Sequence, residues 1–218
     1  MIILGIDTST SFAGVGLSVN GVVTNETWQS RHNHGREVMP VVTRLLQAGA
    51  VEADEIDAVA VSLGPGGFSA VRVGIATANG LVAPRQTRLL GIPTHLIQAY
   101  PHRRLEGMRI VSLIPIGRNQ ISYGVFEAPF SALGDQFETG ICGSDEVKER
   151  LEDSQTLICG EGAIPTTEAS PKADTEVVRP PENLLSIALE RIELGSASDG
   201  LVEPIYSRPP TITAPKRA

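Results

Sequence analysis

Two strand-like runs flank the dipeptide Asn20-Gly21: AGVGLSV over residues 13–19 and VVTNETW over residues 22–28. Asn and Gly both tolerate positive φ, so the dipeptide predicts a tight two-residue hairpin. The apolar run IILGI precedes this pair, separated from it by the polar turn DTSTSF. The chain therefore opens as a three-stranded antiparallel meander, and every later element has to pack around it. Residues 37–48 carry Val38, Val41, Val42, Leu45 and Leu46 at helical spacing, with Gly49 as a C-terminal stop. IDAVAVSL is apolar almost throughout, the pattern of a strand covered on both faces. It stops at Gly64-Pro65-Gly66-Gly67, and a second helix is predicted over 69–82, with Ser69 as its N-cap and Pro84 just past its end. RLLGIP then reads as a short strand and THLIQAY as a short helix.

After His102, Arg103 and Arg104 the pattern restarts. RIVSLIPI and ISYGVFEA predict a strand pair around the turn GRNQ, and SDEVKERLED a helix with Ser144 as N-cap. TLICGEG is a strand ending in glycines, and residues 163–181 are a polar, proline-rich loop. PENLLSIALERIELG is an amphipathic helix, with Pro181 near its start and Gly195 at its end. The order is β-β-β-α-β-α, a break near residue 105, and a second α/β half. A ribonuclease-H-like half repeated in tandem is the architecture of actin, sugar kinases and chaperone ATPases. The expected fold is thus α/β, actin-like, with two tandem halves and mixed sheets. The expected division is 1–105, a smaller and divergent 106–206, and a loose tail at 207–218.

Composition removes several function classes. A formal net charge of -7 argues against a broad phosphate-binding face. Aromatics at 4% are too few for a platform that stacks single-stranded nucleic acid. Cys142 and Cys159 form no CxxC pair, which suits a reducing compartment. The start MIILGIDTST lacks a basic segment and meets Asp7 early, unlike a signal peptide. The expected location is the cytoplasm.

The candidate sites divide by chemistry. A phosphate-binding P-loop needs a Lys after its glycines, and none follows 64–67. The loop either launches a helix as a plain turn or offers the helix start, with Ser69, to an anion. Asp7, followed by Thr8, either holds a metal through water, as in actin-like ATPases, or bonds to local backbone amides; the residue types favour the second. These three, Asp7, Thr8 and Ser69, are the weak candidates for ligand binding. Ala70, Gly74 and Ala78 lie four apart along the second helix, beside Val71. An interior Gly costs about 1 kcal/mol relative to Ala, which points to a close approach by another element or by a partner chain. One reading packs this stripe on the chain's own sheet; the other is an expected partner face that combines Val38, Val41, Val42 and Leu45 with Ala70, Val71, Gly74 and Ala78. His32 and His34 are two apart with no third ligand nearby and read as surface loop. His95 and His102 are isolated, the cysteines have no companion base, and Arg118 is a turn residue or a partner contact. No Ser-His-Asp, Cys-His or H-E-x-x-H pattern supports a peptidase.

LGIDTST, GPGGFSAVRVGIATANGL and EPIYSR together resemble the TsaB (YeaZ) family. Gly64, Pro65, Gly66, Phe68, Val71, Arg72, Val73 and Gly74 match the family pattern; Gly67, Ser69 and Ala70 replace its usual Ser, Thr and Gly. The His34–Pro40 segment matches as well. Where relatives carry Asp-Ala-Arg-x-x-Glu, this chain has Ile116, Gly117, Arg118 and Ile121. The resemblance implies a non-catalytic subunit. It would bind and activate a TsaD-type catalytic subunit through its first two helices, with a TsaE-type ATPase joining the assembly. Their product is threonylcarbamoyladenosine next to the tRNA anticodon. It also implies no cofactor of its own, ATP used by the complex as a whole, tRNA met only through the complex, and a homodimer when alone. The competing reading is an actin-like ATPase or kinase using Asp7 and the 64–67 loop.

Overall fold

The computed structural model describes residues 1–31, 33–85, 87–117, 119–134, 137–147, 155–161, 173–174 and 179–207. The opening meander is formed by β1 (Ile2–Asp7), β2 (Phe12–Val19) and β3 (Val22–Gln29). Asn20 at φ 51° and Gly21 at φ 87° make the predicted turn between β2 and β3. Strands β4 (Ala58–Ser62) and β5 (Arg88–Ile92) join in parallel, giving the order β3-β2-β1-β4-β5. The period-two alternation of β1 divides its side chains. Leu4 and Ile6 face α1 (His34–Ala48) and α2 (Phe68–Val82) in one core. Ile3 faces a second core on the opposite side.

The second sheet repeats the first. Strands β6 (Arg109–Gly117), β7 (Gln120–Glu127), β8 (Glu138–Gly143), β9 (Thr156–Cys159) and β10 (Ala173–Asp174) run in the order β8-β7-β6-β9-β10. β6 pairs antiparallel with β7 and parallel with β9, as β1 does with β2 and β4. The halves are welded by an exchange of helices. α3 (Thr94–Ala99), which follows β5, packs on β6 and β7, whereas α4 (Pro181–Glu193), which follows β10, packs on β1, β2, β3 and β4. Gly5 and Gly16 face each other across β1 and β2. A Cβ at Gly16 would stand 2.9 Å from both Leu185 and Pro181, so the bare backbone is what lets α4 lie down on the sheet. The break near residue 105 falls between the two sheets, but α4, counted with 106–206, rests on the first of them.

β8 and β10 had no signal in the sequence. β8 is an edge strand with only Cys142 buried, and its sequence ETGICG holds two glycines and no alternating stripe. The helix expected over 144–153 is described only at its start, as a 3-10 turn over Ser144–Glu146 with Gly143, not Ser144, at its N-cap. The rest of it, most of the 163–181 loop, His32, Arg118 and 208–218 lie outside the described residues. Among the described residues no helix is long and apolar enough to cross a membrane.

The stripe assigned to a partner is internal. Val38, Val41, Val42, Leu45, Val71 and Ala78 belong to the core between the helices and the first sheet, and Gly74 is buried beside them. Ala70 is half-buried, and its carbonyl accepts the Thr8 hydroxyl at 2.6 Å. Helical spacing identifies an apolar face but not what covers it, and here the chain's own sheet covers it. Gly74 explains its own cost: its N–H donates to Thr8 Oγ1 at 3.1 Å, and a Cβ there would lie 2.5 Å from that oxygen. What α1 and α2 turn outward is a different set: Gly35, Met39 and Thr43 on the first, Ala76 and Gly80 on the second, with Val73 and Thr77 half-buried between them.

Gly74→Ala should therefore cost roughly 1–3 kcal/mol by overpacking and lower Tm by several degrees, measured by calorimetry. A Tm equal to that of the unaltered protein would contradict this seating of α2 on β1.

Candidate functional site

Asp7 ends β1 at the mouth of the cleft between the two halves and is 3% exposed. One carboxylate oxygen, Oδ1, accepts the Ser9 N–H at 2.9 Å and the Ser9 hydroxyl at 2.6 Å. This is the local turn that the residue types favoured. The other oxygen, Oδ2, accepts Arg179 Nε at 2.9 Å. Arg179, two residues before α4, is itself buried. Its Nη2 donates to Ser9 Oγ at 2.7 Å and Thr10 Oγ1 at 3.4 Å, and its Nη1 donates to Gln98 Oε1 at 3.4 Å. On the far side Nη1 stands 3.5 Å from Glu161 Oε1. Glu161 follows β9, the counterpart in the second sheet of β4. A guanidinium thus fills the point where the ends of both sheets converge.

The electrostatics follow from burial and this one cation. Burial pushes the Asp7 carboxyl upward, but the Arg179 charge and the hydrogen bonds from Arg179 and Ser9 outweigh it and hold Asp7 below the ordinary aspartate value. Glu161 is pushed up, by burial first, with the Asp7 charge adding to it and Arg179 opposing. His95 falls to about 3, by burial first and then by the Arg179 charge, so its ring is neutral. That ring lies between Ser112 Oγ at 2.9 Å and Ser122 Oγ at 3.0 Å.

The other two ligand candidates do not join Asp7 in a free site. Thr8 is fully engaged between Ala70 and Gly74. Ser69 is exposed and is not the cap: α2 begins at Phe68, with Gly67 as N-cap. The glycine loop packs on the first turn. The Gly67 N–H donates to Ser9 O at 2.7 Å, and a Cβ at Gly66 would come within 2.0 Å of the same oxygen. The residues present do not fit a nucleotide phosphate with its metal. Both Asp7 oxygens are taken, the loop has no Lys, and an amide of the loop is already donated. Among the described residues no cluster of His, Cys, Asp or Glu is placed to hold a metal.

Several residues sit elsewhere than expected. His34 is not in a surface loop: it is buried as the first residue of α1, with Nε2 3.0 Å from Thr10 O, which ties that helix to the same turn. Phe68, Arg72 and Tyr206, from segments far apart in sequence, meet at the surface. The two rings stack at 4.8 Å, the guanidinium lies 4.0 Å above Phe68, and Arg72 Nε donates to Tyr206 Oη at 2.6 Å. Sequence reasoning missed Arg179, Gln98 and Glu161. Arg179 stands in the proline-rich stretch before Pro180-Pro181, where no periodicity marks it.

Comparison with known proteins identifies the family. The model of the family "TsaD: tRNA N6-adenosine threonylcarbamoyltransferase" matches residues 20–140. The tRNA threonylcarbamoyladenosine biosynthesis protein TsaB of Escherichia coli K12 is 26% identical over 95% of both chains, and that of Haemophilus influenzae is 24% identical over 94% of this chain and 93% of its own. The solved structure of YeaZ from Pseudomonas aeruginosa superposes with a TM-score of 0.77 at 22% identity, covering 94% of this chain and 99% of that one, and so shares the actin-like, ribonuclease-H-like α/β fold. The chain belongs to the tRNA N6-adenosine threonylcarbamoyltransferase family and, within it, to the TsaB (YeaZ) group.

Proposed function

We propose that this chain is a non-catalytic subunit in the synthesis of tRNA threonylcarbamoyladenosine. It binds a TsaD-type catalytic subunit and keeps it active in transferring the threonylcarbamoyl group to the adenosine beside the anticodon. The observation that carries this reading is the filled cleft. The position where an actin-like enzyme would place phosphate and metal holds the buried Arg179 guanidinium, bonded to Asp7. An ATPase or kinase working through Asp7 and the 64–67 loop would need those groups free.

The docking face in this proposal is the outer side of α1 and α2. Its small residues, Gly35, Ala76 and Gly80, leave room for close approach by helices of the partner, and among the described residues nothing beyond the neighbouring backbone of α2 lies within 4 Å of where a Gly80 Cβ would stand. Met39, 44% exposed, supplies an adaptable apolar contact beside them. The same face serves a homodimer when the partner is missing. A TsaE-type ATPase completes the assembly, ATP is used by the complex and held by no site of this chain, and tRNA is met through the complex. The setting is the cytoplasm.

Ala76→Arg and Gly80→Leu test the face. Each should leave Tm within about 2 °C, because exposed substitutions change stability little. Each should weaken co-purification and titrated binding with the TsaD-type protein of the same organism at least about tenfold, or 1.4 kcal/mol. Undiminished binding by both variants would reject the face. In the protein alone, ATP hydrolysis should stay at the level of a preparation carrying Asp7→Ala; turnover that follows the protein through purification and vanishes in that variant would favour the enzyme reading.

A further inference from the structure

We propose that Arg179 is a built-in ligand: it closes the cleft between the two halves in place of a bound nucleotide. The inference concerns closure and holds whether or not a TsaD-type partner is the chain's target. Asp7 at the end of β1 and Glu161 after β9 face each other across the Arg179 side chain. Here the joining group is contributed by the chain. The guanidinium spans from Asp7, Ser9 and Thr10 of the first half to Glu161 of the second, at 2.9, 2.7, 3.4 and 3.5 Å. Carboxylate, guanidinium and carboxyl alternate along that line.

The fork geometry suits the task. Arg carries five N–H donors spread over a rigid plane, so one side chain reaches both walls at once; a Lys ammonium gathers its three donors on a single atom and spans less. Gln98 of α3 extends the bridge: its Oε1 accepts Arg179 Nη1, while its Nε2 donates to Cys159 O at 2.6 Å and Leu113 O at 3.2 Å in the second sheet. Gly160, at φ +103°, leaves the space that the Gln98 amide occupies. Two further buried hydroxyls, Ser62 at the end of β4 and Thr94 at the start of α3, have no hydrogen-bond partner among the described residues. A buried cation is retained only when its partners offset a desolvation cost of several kcal/mol, so the arginine and its two walls hold one another in place. Because the ligand is covalently attached, closure is permanent and does not follow nucleotide concentration.

The test measures the distance between the halves. Spin labels at Thr43→Cys on α1 and Glu138→Cys on β8, both exposed, report on the first and second sheets, while the native Cys142 and Cys159 are buried. The parent protein should give one narrow distance that Mg–ATP leaves unchanged. Arg179→Ala should broaden and lengthen it and lower Tm on the order of 10 °C. Ethylguanidinium at a sub-denaturing concentration should restore the narrow distance in this variant and have no effect on the parent. A narrow parent-like distance in Arg179→Ala would overturn the proposal, and so would a response of the parent to Mg–ATP. Should Arg179→Ala fail to fold, Arg179→Lys keeps the charge but loses the fork. A broadened distance in that variant supports the bridge, and a parent-like one overturns it.

Discussion

A buried guanidinium held between two acidic side chains from opposite halves is the interaction on which the rest of this structure depends. Asp7 and Arg179 are 172 residues apart in sequence, so their contact fixes the first turn of the chain against the segment that leads into its last long helix. Around it the turn 7–10 is saturated. Ser9 serves Asp7, Arg179 and Gly67, Thr8 serves α2, and the Thr10 carbonyl meets His34 at the start of α1. The same few residues therefore seat both helices and close the cleft. The turn is used as structure.

The repeated strand order explains how such a contact arises. Each half alone would leave one face of its sheet open. The exchange of α3 and α4 covers those faces with a helix from the other half, producing a shared core in which Ile3, Ala60 and Ile92 of the first sheet meet Phe126, Ile110 and Leu157 of the second. With the halves so joined, the ends of β1 and β9 come close enough for a single side chain to span them. The outer sides of α1 and α2 are exposed on the other face of the first sheet, and this is the face proposed for docking.

The elements of the first half were legible because each carried a local signal: Asn20-Gly21 for the hairpin, a 3.6-residue period for α1 and α2, and a continuous apolar run for β4. The tandem fold followed from their order. The site was less legible, for two physical reasons. Periodicity reports that Val38, Val41, Val42, Leu45, Val71, Gly74 and Ala78 share a buried face, but an internal sheet and a foreign chain bury such a face equally well. The partners are long-range: Arg179, which meets Asp7, lies in a stretch with no helical or strand period, and Glu161, which meets Arg179, follows Gly160 just past the end of β9. Phe68, Arg72 and Tyr206, singled out in sequence as family positions, proved to be one surface cluster, which no spacing in the chain foretells.

The central claim is that Asp7 and Arg179 stabilise each other as a buried pair, and a double-mutant cycle measures this most directly. Asp7→Asn, Arg179→Met and the double variant would be unfolded in urea alongside the parent. Each single change leaves a buried partner unpaired and should cost about 3–5 kcal/mol. The double variant should fall short of the sum of the two by roughly 2 kcal/mol or more, as expected for groups in direct contact. Single effects that add to within about 0.5 kcal/mol would mean the two side chains do not interact, and would contradict the account.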